Sequence, residues 1–310
     1  MLPLNVRSSR EAVIKTLAFY DIFGQCLTFD EVEKNIIGMK ITKDHLNICL
    51  NQVKIIDKKA GFYFLKGADS TIEKRTRNIQ ILEKYSEKIR RYSFIFRMSP
   101  FVKMVGICNS FSFGSPDPDS DIDLFIVARE NRLFTARFFV TLFTHLLRMR
   151  RHGHKIKGRF CLSFFADENS VNMEPLSLKP YDIYLAFWVK NLLPVFGEKT
   201  YYKFIESNNW VTRYFPNGID PRKEFLNDSG FSSKFFRRLL EKILSGKFGD
   251  KIENLLSSFM TKRALKKYEQ LEDKTGTIIS KHMLKFHDKE KRFSIRQRWE
   301  QKIDEFSRYF

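Results

Sequence analysis

Residues 105–127 read VGICNSFSFGSPDPDSDIDLFIV: an apolar run, a small polar turn, and a second apolar run carrying Asp121 and Asp123 on alternate positions. Side chains on a strand repeat with period two, so both carboxylates are expected on one face of one strand. Two acids held side by side repel each other and cost stability unless a cation lies between them. A hard divalent ion with oxygen ligands, Mg²⁺ or Mn²⁺, is the expected occupant, and a polyphosphate is its usual companion.

Working outward from the acids, Ser110 follows the first run, Gly114 lies four residues further on, and Asp121 comes eleven residues after Ser110. This arrangement resembles the signature of the polymerase-β-type nucleotidyltransferase superfamily: a Gly-Ser turn after a strand, a glycine four residues past the serine, and an Asp-x-Asp strand about a dozen residues on. The resemblance implies that Asp121 and Asp123 bind metal and that Asn109, Ser110 and Gly114 form a turn against the nucleotide's phosphates. Asn109 stands where that family usually has glycine. Asn is the non-glycine residue that best tolerates positive φ, so the turn is expected to survive. The family also has a third carboxylate on a later strand. Here that strand is RFCLSFFADEN, from Arg159, with Cys161 and Ser163 where the acid is expected. Counting by two places Asp167 on the same face at the strand's far end, beside Glu168, as a displaced candidate.

The chain has 310 residues, enough for two or three domains, with 43% hydrophobic residues and 32 Phe. The formal net charge is +19, which favours polyanionic partners, nucleic acid above all. Cys26, Cys49, Cys108 and Cys161 show no paired spacing and suggest a reducing compartment. The first residues lack the apolar core of a secretion signal. The most apolar stretch, 133–147, is interrupted by Arg137 and His145 and is too short for a bilayer. A cytoplasmic protein with no membrane partner is the expectation.

Residues 1–69 are expected to form three helices and a hairpin around Lys58–Gly61, an arrangement that resembles a winged helix, whose third helix and wing would serve either DNA binding or a purely packing or dimerising role. Thr28 and Glu31 predict a capping box. Residues 70–218 should hold a long charged helix from 70 to about 98, then the nucleotidyltransferase domain, with an aromatic helix over 181–196. The basic loop RMRRHGHKIKGR is expected to face phosphate. His152 and His154 within it form an i, i+2 pair that can chelate a metal on a strand but more often only decorates a basic loop. The words RRHGHKIKGRFCLSFF, LPVFGEKTYYKFIESNNWV and YFPN also resemble an uncharacterised bacterial family of nucleotidyltransferase-domain proteins, a likeness extending over most of residues 10–218. Residues 219–310 read as a basic helical region. In its last helix Phe293, Ile295, Trp299, Ile303 and Phe306 form a stripe suited to docking.

The fold class expected is therefore α+β: a polymerase-β-like mixed sheet with flanking helices, a winged-helix-like domain before it and a basic helical region after it. The activity implied by the resemblance is Mg²⁺- or Mn²⁺-dependent transfer of a nucleoside monophosphate from an NTP to a hydroxyl of a small molecule, RNA or protein. The alternative is a regulator of the same fold that binds nucleotide or nucleic acid without turnover.

Overall fold

The computed structural model describes residues 6–271, 273–286 and 290–310. The architecture is α+β, built on one mixed sheet. The N-terminal part comprises α1 (Ser9–Asp21), α2 (Phe29–Asn35), α3 (Lys43–Gln52) and a hairpin of β1 (Ile56–Lys59) and β2 (Phe62–Leu65). Each helix begins at a hydroxyl cap. The side chains of Ser8, Thr28 and Thr42 accept from the N–H groups of Glu11, Glu31 and His45, and Thr28 with Glu31 closes the expected capping box. The hairpin turns at Ala60 and Gly61, with φ of 51° and 80°, as a two-residue turn between right-twisted strands requires.

The long charged helix is split into α4 (Ser70–Tyr92) and α5 (Phe94–Met98). Ser93, at the break, is buried and its hydroxyl donates to the Arg90 carbonyl, competing with the helix ladder. The sheet strands and their connections are β3 (Val102–Ile107), α6 (Asn109–Ser112), β4 (Ile122–Ala128), α7 (Leu133–Leu146), β5 (Phe160–Asp167), α8 (Ile183–Lys190), β6 (Leu193–Phe196) and α9 (Glu198–Ser207). The chain continues through α10 (Phe231–Ile243), α11 (Gly246–Glu269), β7 (Thr277–Ile279), β8 (Met283–Phe286) and α12 (Arg292–Phe306). Strand order is β6-β3-β4-β5-β8-β7, and only β4 and β5 run parallel.

Two expectations are corrected. Residues 181–196 are not one helix, because α8 stops at Lys190 and Leu193–Phe196 is strand β6. Pro194 sits comfortably there since β6 is an edge strand, paired only with β3, and its missing N–H breaks no second ladder. Nor is the region after 218 purely helical: β7 and β8 extend the sheet beyond β5. The sheet thus takes strands from both sides of residue 218.

Each face of the sheet carries its own core. On one face Met104, Phe125, Val127, Phe164 and Ala166 pack with residues of α1, α8 and α12. On the other, Val105, Ile107, Leu124, Ile126 and Phe165 pack with residues of α5 and α7. The last helix docks as expected: Ile295, Trp299 and Ile303 are buried and Phe306 is partly so, whereas Phe293 points outward and leaves the stripe narrower. Trp299 is fully buried and donates its indole N–H to the Lys15 carbonyl of α1 at 3.0 Å. Among the described residues no helix is long and apolar enough to cross a membrane.

Candidate active site

Asp123 lies one residue into β4, with Asp121 just before it. In register, Asp123 stands opposite Cys161 of β5. Oxygens of both carboxylates and the Cys161 Sγ all fall within 4.8 Å of one another, and this is the one cluster of three or more His, Cys, Asp or Glu ligands found among the described residues. Sequence placed the two acids on one face, and there they stand. His152 and His154 do not join such a cluster. The His152 ring lies near that of His145, at a centroid distance of 5.9 Å.

Asp167 is not brought to the site. The β4–β5 register slips by one residue between Asp123 and Phe125, so Phe125 opposes Phe164 and Ala128 opposes Asp167. That bulge reverses the alternation, so counting by two from Cys161 fails: Phe164 and Ala166 share the face of the metal-type cluster, and Asp167 falls on the other. Asp167 is buried and held by the His282 Nδ1 at 2.6 Å and the Asn169 N–H at 3.1 Å. Its neighbour Glu168 accepts from the Glu130 N–H. Both serve the far end of the strand, and it is Cys161 that stands beside the two acids.

The electrostatics are those of two acids sharing one cleft wall. Burial, and then the charge of Asp121, raise the Asp123 carboxyl to about 6, while a hydrogen bond from Asn109 works the other way. Burial, and then the two carboxylates, push the Cys161 thiol up to about 12. It is therefore a neutral thiol in the ion-free site. Arg151 donates to Asp121 Oδ2 at 2.7 Å and approaches Cys161 Sγ at 3.6 Å. Of the basic loop, Arg151 is the residue that faces the cleft, and Lys157 instead pairs with the exposed Asp119.

The turn after β3 has the predicted shape. Asn109 adopts φ 58° and Gly114 φ 75°. The N–H groups of Phe113, Gly114 and Ser115 are taken by the carbonyls of Asn109, Phe111 and Ser110. Gly114 closes the turn, whose cleft-lining residues are Asn109, Ser110, Phe113 and Ser115. Other segments hold the turn from outside. Gln25 and Arg222 donate to the carbonyls of Phe113 and Ser112, and the Ser115 hydroxyl donates to that of Phe23.

Asn109, Ser110, Asp121, Asp123, Arg151 and Cys161 line a cleft of about 800 Å³. Phe113, Tyr184 and Trp188 form an aromatic part of its lining. Lys74, Lys285 and Arg298 bring positive charge from α4, β8 and α12. Sequence reasoning did not single out Lys74 or Arg298, nor Arg151 within its loop, because each reaches the cleft only through tertiary packing. No protein-family model, curated protein or solved structure matches this chain.

Proposed function

We propose that this protein is a divalent-cation-dependent nucleotidyltransferase whose substrate is a nucleoside triphosphate bound in the Asp121–Asp123 cleft. The observation that carries the reading is the convergence of two carboxylates and a serine turn on one cleft with basic and aromatic walls. Of the three clustered donors, the two carboxylates fit a hard ion, and the neutral Cys161 thiol would stay outside its ligand set. Two carboxylate oxygens, one carboxyl raised by its neighbour's charge, are what a cation would relieve, and a substrate's phosphate oxygens would complete the shell. When bound, the ion neutralises the triphosphate and acidifies the acceptor hydroxyl.

The remaining roles belong to the chain. The Ser110 hydroxyl donates to a phosphate oxygen of the β/γ end. Lys74 and Arg298 offset the charge of the leaving pyrophosphate. Phe113, Tyr184 and Trp188 offer ring surface to the base. In the transfer, the acceptor oxygen bonds to the α-phosphorus, the bond from that phosphorus to the bridging oxygen of the β-phosphate breaks, pyrophosphate departs and the acceptor's proton passes to solvent.

A second reading, a nucleotide-binding regulator without turnover, is favoured by one feature, the neutral thiol of Cys161 in the third acid's place. It would use the N-terminal three helices and hairpin as a winged helix on DNA, with Lys43, Asn47 and Asn51 exposed on α3. Labelled NTPs incubated with Mg²⁺ or Mn²⁺ and with RNA, metabolites or the protein itself separate the two. Pyrophosphate release with labelled acceptor supports the transferase; tight NTP binding with no release supports the regulator. Calorimetry should show NTP–metal affinity falling on Asp121→Asn with Asp123→Asn, and Ser110→Ala weakening it by roughly 0.5–3 kcal/mol. Unchanged affinity in both variants would remove the site from either reading.

A further inference from the structure

The side of α10 turned away from the sheet is dominated by large apolar residues in solvent. Phe231, Phe235, Leu239 and Ile243 are 86%, 63%, 48% and 54% exposed. They recur every four residues, so they form one row along the helix. Lys234, Arg238 and Lys242, also exposed, form a second row at the same spacing, one residue N-terminal to the apolar one. The two rows lie about 100° apart around the axis, an apolar strip with a cationic shoulder. The inward side is occupied: Arg237 pairs with Glu241, which also accepts from the Phe101 N–H, and Leu244 is buried at the helix end. The next helix repeats the theme. On α11, Phe248, Leu255 and Phe259 are exposed in one row, with the exposed Lys251 and Lys262 beside them.

We propose that α10 binds the surface of an anionic lipid membrane. Charge complementarity selects this occupant. A second copy of the chain would bring another +19 and another cationic shoulder against the first. A nucleic acid would satisfy Lys234, Arg238 and Lys242 but leave the phenylalanine row facing water or phosphate. A bilayer interface satisfies both rows: aromatic and aliphatic side chains enter the acyl boundary while the lysine and arginine heads stay among anionic headgroups. The mode is one of lying on the membrane, which needs no spanning helix and is compatible with the absence of one among the described residues.

The test is co-sedimentation of the full chain with phosphatidylcholine vesicles with and without phosphatidylserine, at low and physiological salt. Wild type should pellet with the anionic vesicles and remain in solution with the neutral ones. Phe235→Ser with Leu239→Ser should weaken anionic binding at least about tenfold, these side chains being apolar anchors. Arg238→Ser with Lys242→Ser should weaken it by roughly fivefold per charge removed. Both pairs are exposed, so circular dichroism and thermal unfolding should match wild type. Absence of vesicle binding by wild type overturns the proposal. So does equal binding by the variant carrying Phe235→Ser and Leu239→Ser, which would mean that charge alone holds the protein. Vesicle-independent dimers that dissociate in the apolar variant, or RNA binding weakened only by the charge variant with no vesicle binding, would assign the face to another copy or to nucleic acid and overturn it equally.

Discussion

Asp123 shows how much one position can ask of its surroundings. Its carboxyl belongs to a cleft wall where burial and the neighbouring Asp121 disfavour charge, so its folded value of about 6 stands above the ordinary 3.8. A raised acid binds its proton more tightly in the folded than in the unfolded chain. Its contribution to stability is therefore complete below the ordinary carboxylate range and is lost as pH rises through about 6. The ion-free Asp123→Asn protein should accordingly be more stable than wild type at pH 7, by on the order of 1–3 kcal/mol. The gain should shrink towards zero near pH 4, and thermal melts across that range measure it. A pH-independent difference would mean that packing, not ionisation, separates the two. The same logic makes cation binding to the wild-type site strengthen as pH rises through the same window. Asn109 is tied to this balance twice, by its φ of 58° and by its bond to Asp123. Sequence had read only the first, since a backbone preference is local and a hydrogen bond from the turn to a neighbouring strand is not.

At the scale of elements, two helices start without a local cap and borrow one from far along the chain. The residue before α7 is Arg132 and the residue before α9 is Gly197, neither of which supplies a side-chain acceptor there. Glu253 of α11 accepts from the Phe134 and Thr135 N–H groups at 2.9 and 2.8 Å and from the Thr135 hydroxyl. Asp228 accepts from the Gly197 and Glu198 N–H groups at 2.8 and 3.0 Å. A carboxylate at a helix N-terminus satisfies free donors and meets the positive end of the dipole. Because Glu253 is buried, its truncation strands both N–H groups as well. Glu253→Ala should cost about 2–4 kcal/mol and Glu253→Gln less, because the amide oxygen can still accept. Denaturant titration checks the order; equal losses would mean that the charge, not the cap geometry, matters. Gly197 itself leaves no alternative, since with φ at 89° any Cβ would stand 2.0 Å from the Lys103 carbonyl oxygen.

For the whole molecule, the cleft exists because distant parts of the chain close on one another. Helix α1 carries the N-terminal part, α8 follows β5 in the chain, and α12 packs against both, with Trp299 set edge-on to Phe19 and Tyr181. Arg292 at the start of α12 pairs with Asp182 and Glu290 in a largely buried network at the cleft's edge. Trp299→Ala should therefore cost about 3–5 kcal/mol and loosen one cleft wall along with the core. The prediction distinguishes itself from simple destabilisation at a temperature where the variant is still folded. There, NTP affinity should fall through the displaced Arg298, and an affinity equal to wild type would show that α12 is only a brace.

Local order was legible along the chain. The capping box, the Asn109 turn, the Asp121–Asp123 face and the apolar stripe of α12 all depend on spacing within a few residues, and spacing is what a sequence displays. Tertiary structure alone determined the rest. A bulge in β5 turned Asp167 to the opposite face and left Cys161 beside the acids. The residues over 277–286 became strands because β5 had an open edge to pair, although their own pattern is too short to declare it. Arg151, Lys74 and Arg298 became cleft residues only when three separate elements closed around the sheet. Short-range hydrogen bonding and side-chain period act between neighbours in sequence; register slips, borrowed caps and cleft walls depend on which distant surfaces meet, and those meetings are set by burying both faces of the sheet at once.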